Sequence, residues 1–340
     1  MPLFPFRRAL LAAALLCCTL PTATLAAAPA TPQATSQATP QAADWAPTKL
    51  VRIVVPIVGS TNDVLARLVA PELQRVLGQT VIVENKGGAG GNIGTAEVAR
   101  SAPDGHTLLV GFNGPIAINP TLYSKLPYDP IKDLSPITLA VTSPQFLAVN
   151  ANVPVKTVAD LVALSKTKNM AYASVSTGSA SHLTMEMLKS AAKIDIAHVP
   201  YKGAGPAVVD LVGGQVDAAF MVPGNVQQFA KEGRVHLIAS TGEKRFASTP
   251  NVPTMIESGY PGFVALSWIG FFAPGGTPQP IIDRYNRELV AILKQPEIRA
   301  KLEQMEFDVV ASSPRQFADW IQTEIPRWGK VIKDTGAKAD

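Results

Sequence analysis

Three stretches of this sequence gather hydroxyls, amides and glycines where a strand would hand over to a helix. They are Pro56-Ile57-Val58-Gly59-Ser60-Thr61-Asn62-Asp63, Val175-Ser176-Thr177-Gly178-Ser179-Ala180-Ser181-His182, and Pro200-Tyr201-Lys202-Gly203-Ala204-Gly205-Pro206. A helix begins with N–H groups that have no intrahelical acceptor, and the aligned peptide dipoles add partial positive charge there, so such a start suits an anion. Small residues also let a ligand approach the backbone closely. Taken alone, the first loop reads as an ordinary N-cap supplied by Ser60, Thr61 or Asn62. Taken together, the three loops predict a cleft for a polar, anionic small molecule.

Reaction chemistry finds little to work with. The four histidines, His106, His182, His198 and His236, are dispersed with no metal-ligand spacing. Neither Gly-x-Ser-x-Gly nor His-Glu-x-x-His occurs. Ser179 or Ser181 with His182 is the one conceivable hydrolase arrangement, but adjacent residues at a helix start rarely face each other usefully. The run Gly87-Gly88-Ala89-Gly90-Gly91-Asn92-Ile93-Gly94 lacks the Gly-Lys-Ser/Thr ending of a phosphate-binding loop, and Ile93 stands where a dinucleotide fingerprint needs its last glycine. Close packing of a small-residue helix explains it better. The expectation is a binding protein, not an enzyme, with no catalytic residue, metal or cofactor.

The elements that must position these loops alternate between strand and helix. A β-branched strand over 50–55 ends at Pro56, and apolar residues from Val64 to Leu77 recur at helical spacing up to a C-terminal stop at Gly78. Pro71 falls inside that helix, where the missing backbone donor predicts a kink. Strands over 81–84 and 107–111, with a small-residue helix between them, complete a βαβαβ order that implies a parallel sheet. A second α/β set follows from about Phe146, with strands over 170–174, 196–199 and 217–221 and helices over 158–166, 180–192 and 206–212. A strand over 267–273 leads to helices starting at Pro278, Pro296 and Pro314, the last N-capped by Ser313. Phe317, Trp320, Ile321, Ile325, Trp328 and Ile332 share one face of that last helix and read as core. Two α/β lobes, the second inserted in the first, would leave a cleft where loops lead into helices.

The first residues read as a secretion signal. Arg7 and Arg8 precede an apolar run over 9–20 that is too short to span a bilayer, and Thr24-Leu25-Ala26 offers small residues to a peptidase. Both cysteines, Cys17 and Cys18, lie in this leader, and bulky Leu15 and Leu16 before them disfavour lipid attachment. A chain without its leader carries no disulfide, thiol nucleophile or cysteine metal site. Thirty Lys and Arg residues against 26 Asp and Glu give a formal charge of +4, reduced to +2 without Arg7 and Arg8. These charges are scattered, which excludes a nucleic-acid stripe. The expected organisation is a signal peptide over 1–27, an Ala/Pro/Thr/Gln-rich linker over 28–48, lobe 1 over 49–145, lobe 2 over 146–267 and a return to lobe 1 over 268–340.

Longer blocks carry a resemblance along nearly the whole of this length. Ile53-Val54-Val55-Pro56, Val83-Glu84-Asn85-Lys86 running into the glycine-rich stretch, Pro103-Asp104-Gly105, Asn119-Pro120-Thr121-Leu122-Tyr123, Leu126-Pro127-Tyr128-Asp129-Pro130, His198-Val199-Pro200-Tyr201-Lys202-Gly203, Gly213-Gly214-Gln215-Val216-Asp217 and Pro250-Asn251-Val252-Pro253-Thr254 stand in this order. In them the chain resembles the extracytoplasmic solute receptors of tripartite tricarboxylate transporters, the Bug family. The resemblance implies a type II periplasmic-binding-protein fold with two α/β lobes, a central cleft and hinge crossings near 143–154 and 268–274. It implies a monomeric periplasmic receptor that closes on a small carboxylate and delivers it to a membrane permease, or presents it to a sensor kinase. Carried over by position, the ligand contacts are Ser60, Thr61 and Asp63, then Asn113, then Thr177, Gly178, Ser179, Ser181 and His182, and finally Tyr201, Lys202 and Gly203. The chain departs from the family at Gly59-Ser60, where a Gly-Gly pair is usual. It departs again at Met221 and Val222, where acidic or amide residues are frequent. Met221 therefore joins the expected pocket wall and favours a less polar or partly aromatic acid.

Overall fold

The computed structural model describes residues 45–246 and 248–339, so the expected leader and most of the expected linker lie outside the described residues. β1 (Val51–Val55), α1 (Thr61–Leu77), β2 (Val81–Asn85), α2 (Asn92–Ala99) and β3 (Thr107–Phe112) form the predicted unit, with β1 parallel to both β2 and β3. Every residue of β3 and all but Arg52 of β1 are buried, as strands covered by helices on both faces must be. α1 stops at Gly78, whose φ of 68° is the left-handed geometry that glycine adopts without a steric penalty. The helix continues through Pro71.

A π-helical turn at Gly114–Ile118 and the short α3 (Asn119–Leu122) lead to β4 (Leu134–Pro144). After β4 a single residue, Gln145, separates the first sheet from the second. The second sheet is drawn from β5 (Phe146–Asn150), β6 (Ala171–Ser174), β7 (Ala197–Pro200), β8 (Ala218–Met221) and β9 (Val235–Ser240), in the order β7-β6-β8-β5-β9. Between these strands run α4 (Val158–Ser165), α5 (Ala180–Ala192), α6 (Ala204–Gly213) and α7 (Pro223–Lys231). The chain then returns through β10 (Leu266–Pro274), α8 (Gln279–Leu293), α9 (Pro296–Gln304), β11 (Asp308–Val309) and α10 (Pro314–Thr335). β10 inserts between β3 and β4, antiparallel to both, giving the order β11-β4-β10-β3-β1-β2. Each sheet is therefore mixed: parallel where helices cross over, antiparallel where the chain passes between lobes.

The crossings sit closer to the strand ends than the sequence suggests. Residues 146–150 are paired within β5 and residues 268–274 within β10, so both are held by ladder hydrogen bonds. The chain passes between sheets at Gln145 and again between Ser240 and Leu266. These passages are tied together: the Gln145 N–H donates to Thr241 Oγ1 at 2.8 Å, and the Thr241 N–H donates to the Gln145 carbonyl at 2.9 Å.

α10 closes the first lobe. Ser313 and Gln316 form a capping box at its start, and Phe317, Ile321, Trp328 and Ile332 are buried, with Trp320 and Ile325 packed at the margin. Glu324 lies on the same helix and is only 2% exposed. Its Oε2 accepts from the indole N–H groups of Trp268 and Trp328, each at 2.9 Å, and its Oε1 pairs with Arg327 at 2.8 Å. Arg327 also donates to the Val264 carbonyl, anchoring the helix to the second crossing. A buried carboxylate demands such partners, because an unpaired charge in a core costs several kcal/mol.

Candidate functional site

Four helices begin around one cavity between the sheets. α1 contributes Ser60, Thr61 and Asn62, α5 contributes Ser179, Ala180 and Ser181, α6 contributes Ala204, and α7 contributes Val222 and Asn225. The strand ends supply Phe112, Phe220, Met221, Ser267 and Trp268, and Gln145 lines it from the first crossing. The cavity holds about 580 Å³ of atom-free space, its mouth included. No Lys, Arg, His, Asp or Glu is among its lining residues.

The start of α1 is built differently from the starts of α4, α5 and α10. Thr157 and Ser313 close capping boxes, and Ser179 Oγ accepts from the His182 N–H. Ser60 makes no such bond; its hydroxyl donates backwards to the Ile57 carbonyl at 3.0 Å. The next residue but one, Asn62, is only 6% exposed, and its Nδ2 has no hydrogen-bond partner among the described residues. Burying an amide donor without an acceptor costs roughly 1–3 kcal/mol, and an acceptor supplied by a ligand removes that cost. Asn62 is read from the sequence only as an alternative N-cap; its isolation becomes visible once the helix axis is fixed.

The expected contacts divide into three sets. Ser60, Thr61, Asn113, Ser179, Ser181 and Met221 line the cavity. Asn113, however, is committed to the protein: its Oδ1 accepts from the Trp268 N–H at 2.9 Å and its Nδ2 donates to the Leu266 carbonyl at 3.0 Å. It staples β3 to β10 and forms wall, with no amide group left over. Ser179 donates to the Ser176 carbonyl and shares a 2.9 Å hydrogen bond with Ser181, which also accepts from the Val175 N–H.

The second set faces a neighbouring cavity between the same two lobes. Thr177, Tyr201 and Lys202 line it, opposite Gly87–Gly91 and Tyr123 of the first lobe. Tyr201 points its hydroxyl away, donating to Asp210 at 2.6 Å; burial and that carboxylate push its phenol up to about 12.

The third set is structural. Asp63 pairs with Arg67 at 3.1 Å and accepts from Asn85 at 2.9 Å, so it braces α1 against β2 and does not line the cavity. An acidic group in the first turn stabilises the helix but repels an anion there. His182 accepts the Gly178 N–H through Nδ1 at 3.3 Å and stacks on His198 at 4.1 Å. Burial, with Lys189 adding to it, pushes its imidazole down to about 4, which keeps the accepting nitrogen unprotonated. Gly178 and Gly203 are points of close approach between lobes. A Cβ on Gly203 would stand 2.8 Å from the Val58 carbonyl, and one on Gly178 would overlap Asn119 Oδ1. The glycine-rich loop packs in the same way, a Cβ on Gly90 standing 2.8 Å from the Thr177 carbonyl.

Sequence reasoning missed Asn62, Gln145, Ser267, Trp268 and Asn225. Gln145 and Ser267 lie at strand ends beside the crossings, where no helix-start signal marks them.

The profile of the tripartite tricarboxylate transporter family receptors matches residues 65–337. Protein BugT of Bordetella pertussis is 37% identical over 300 residues, spanning 87% of this chain and 92% of its own. Among solved structures, Rpa4515 of R. palustris with adipate superposes with a TM-score of 0.82 at 33% identity, covering 86% of this chain and 99% of that one. MatC from Rhodopseudomonas palustris with bound malate gives 0.80 at 35% identity, covering 84% and 99%.

Proposed function

This chain belongs to the tripartite tricarboxylate transporter family of receptors, and on that premise we propose that it is a periplasmic receptor for a small carboxylate, which it delivers to a membrane permease. The observation that carries this reading is the uncapped start of α1 at a cavity lined by no charged residue, with the orphan amide of Asn62 beside it. A carboxylate there accepts from Asn62 Nδ2 and from the first-turn N–H groups of α1. The start of α5 completes the cradle from the other lobe, with Ser179 and Ser181 shaping it. Contact with both lobes makes the closed arrangement the bound one, because a ligand stabilises whichever state it touches more. The sequence of residues 7–26 and the family support the periplasm as the compartment of this work. The carboxylates in the two R. palustris structures support the ligand class.

A thermal-shift screen of the purified protein against mono-, di- and tricarboxylates, aromatic acids and amino acids tests the reading. A ligand at a hundredfold excess over its Kd raises stability by about 2.7 kcal/mol. Asn62→Leu should abolish the shift while leaving the ligand-free melting temperature unchanged or higher, since it removes an unpaired buried amide. A full shift in that variant refutes the assignment of Asn62. Delivery is tested by uptake of the labelled acid in cells with and without the receptor; equal uptake refutes it.

A further inference from the structure

We infer that the ligand is a monocarboxylate with a compact, uncharged and largely apolar body. This deepens the receptor reading above and rests on it. The unpartnered side-chain donor of the lining is Asn62 Nδ2, at the uncapped start of α1. Elsewhere most of the cavity's polar side chains are spoken for. Both hydroxyls of the second lobe are held within their own loop, the Asn113 amide is bonded to Trp268 and Leu266, and Gln145 Nε2 donates to Thr184 at 2.7 Å. The Trp268 indole, which would otherwise offer a donor, gives its N–H to Glu324.

What remains is hydrocarbon. Ile57, Phe112, Phe220, Met221 and Phe307 line the cavity with the Trp268 ring, leaving Asn225 and Ser267 for at most a neutral hydroxyl or carbonyl. A second carboxylate would be buried against this surface with no cation to pair with. Behind the wall, Glu324 accepts from Asn113 Nδ2 at 3.5 Å and is already paired with Arg327, so no free cation stands there for a second carboxylate. Desolvating an unpaired carboxylate costs several kcal/mol, whereas each buried methylene contributes about 0.8 kcal/mol.

Calorimetric titration with pairs matched in carbon skeleton decides the matter: butyrate against succinate, hexanoate against adipate, and benzoate against terephthalate. At least one monoacid is expected to bind on the order of tenfold or more tighter than its diacid. A diacid that binds equally or more tightly in every pair overturns this inference and leaves the receptor reading standing. If none of the six binds to protein shown by mass spectrometry to be free of retained ligand, this inference is overturned; if the wider acid screen is also silent, the receptor reading falls with it. Met221→Lys places a cation in the apolar wall, and in a variant whose circular dichroism matches the parent the preference should shift at least tenfold toward the diacid. An unmoved ratio in that folded variant counts against the wall as the source of selectivity.

Discussion

Gly178→Ala separates closure from folding. Gly178 belongs to the second lobe and has φ of 76°, while the atoms an added Cβ would strike, Asn119 Oδ1 and Leu122 Cδ2, belong to the first. Two costs follow, and they act on different equilibria. The left-handed backbone penalises alanine by roughly 1–2 kcal/mol in open and closed forms alike, so it lowers the melting temperature. The clash exists only when the lobes meet. Forcing a methyl group into a filled contact costs about 1–3 kcal/mol, and a closed state raised by that amount weakens apparent affinity about fivefold to about 150-fold. Titration with the best acid from the screen, with small-angle scattering at saturation, should show weaker binding and a larger radius of gyration than the parent. Asn119→Ala removes the struck atom, so in the double variant the affinity should recover and the melting temperature should not. Unchanged affinity with a lowered melting temperature would refute the idea that this contact forms on closing, and would reduce Gly178 to a turn residue.

Three further outcomes are expected. The folded-state imidazole of His182 titrates near 4, below its ordinary value of 6.5, so the unfolded chain binds the extra proton first; stability should be full above about pH 6.5 and fall towards pH 4 by up to roughly 3 kcal/mol. Denaturant midpoints measured across that window should show this slope, and its persistence in His182→Asn would assign it to other groups. Glu324→Leu strands Arg327 and two indole N–H groups, so equilibrium unfolding should register a loss of about 3–5 kcal/mol, and a loss below 1 kcal/mol would show the network to be dispensable. Lys202 is the cation of the outer cavity, and at roughly 7 Å in water it attracts an approaching carboxylate by about 0.6 kcal/mol. Stopped-flow association of Lys202→Gln should therefore slow about twofold to threefold in dilute buffer, with dissociation unchanged and the difference vanishing at high salt; a change confined to dissociation would make Lys202 a direct contact.

How far the sequence carries depends on whether the signal is local. Helix boundaries at Ala180–Ala192 and the Ser313 cap of α10 are legible because periodicity and caps act within a few residues. β4 escapes because Pro136 and Pro144 punctuate it as they would a loop; its partner β10 lies far along the chain and settles the matter by pairing. β9 and the two-residue β11 have too little pattern of their own. The same limit applies to the cavity. The three loops are recognisable as helix starts, but which of their side chains face inward is decided by tertiary partners. Asp63 turns to Arg67 and Asn85, Tyr201 to Asp210, and Asn113 to β10. Met221 is among the residues that line the cavity.

The central position of β10 governs the order in which the protein can be assembled. Residues 146–240 are continuous and hold every strand of the second sheet, so that sheet can form as soon as they emerge. The first sheet cannot. β3 and β4 do not pair with each other, and the slot between them stays open until residues 266–274 are made; α10, which seals that lobe, follows later still. Long-range pairing of this kind is slow to form and late to commit. A growing chain thus remains pliable and threadable until nearly its whole length exists, and a chain cut short before β10 is left with an unfilled sheet edge for proteases and chaperones to find.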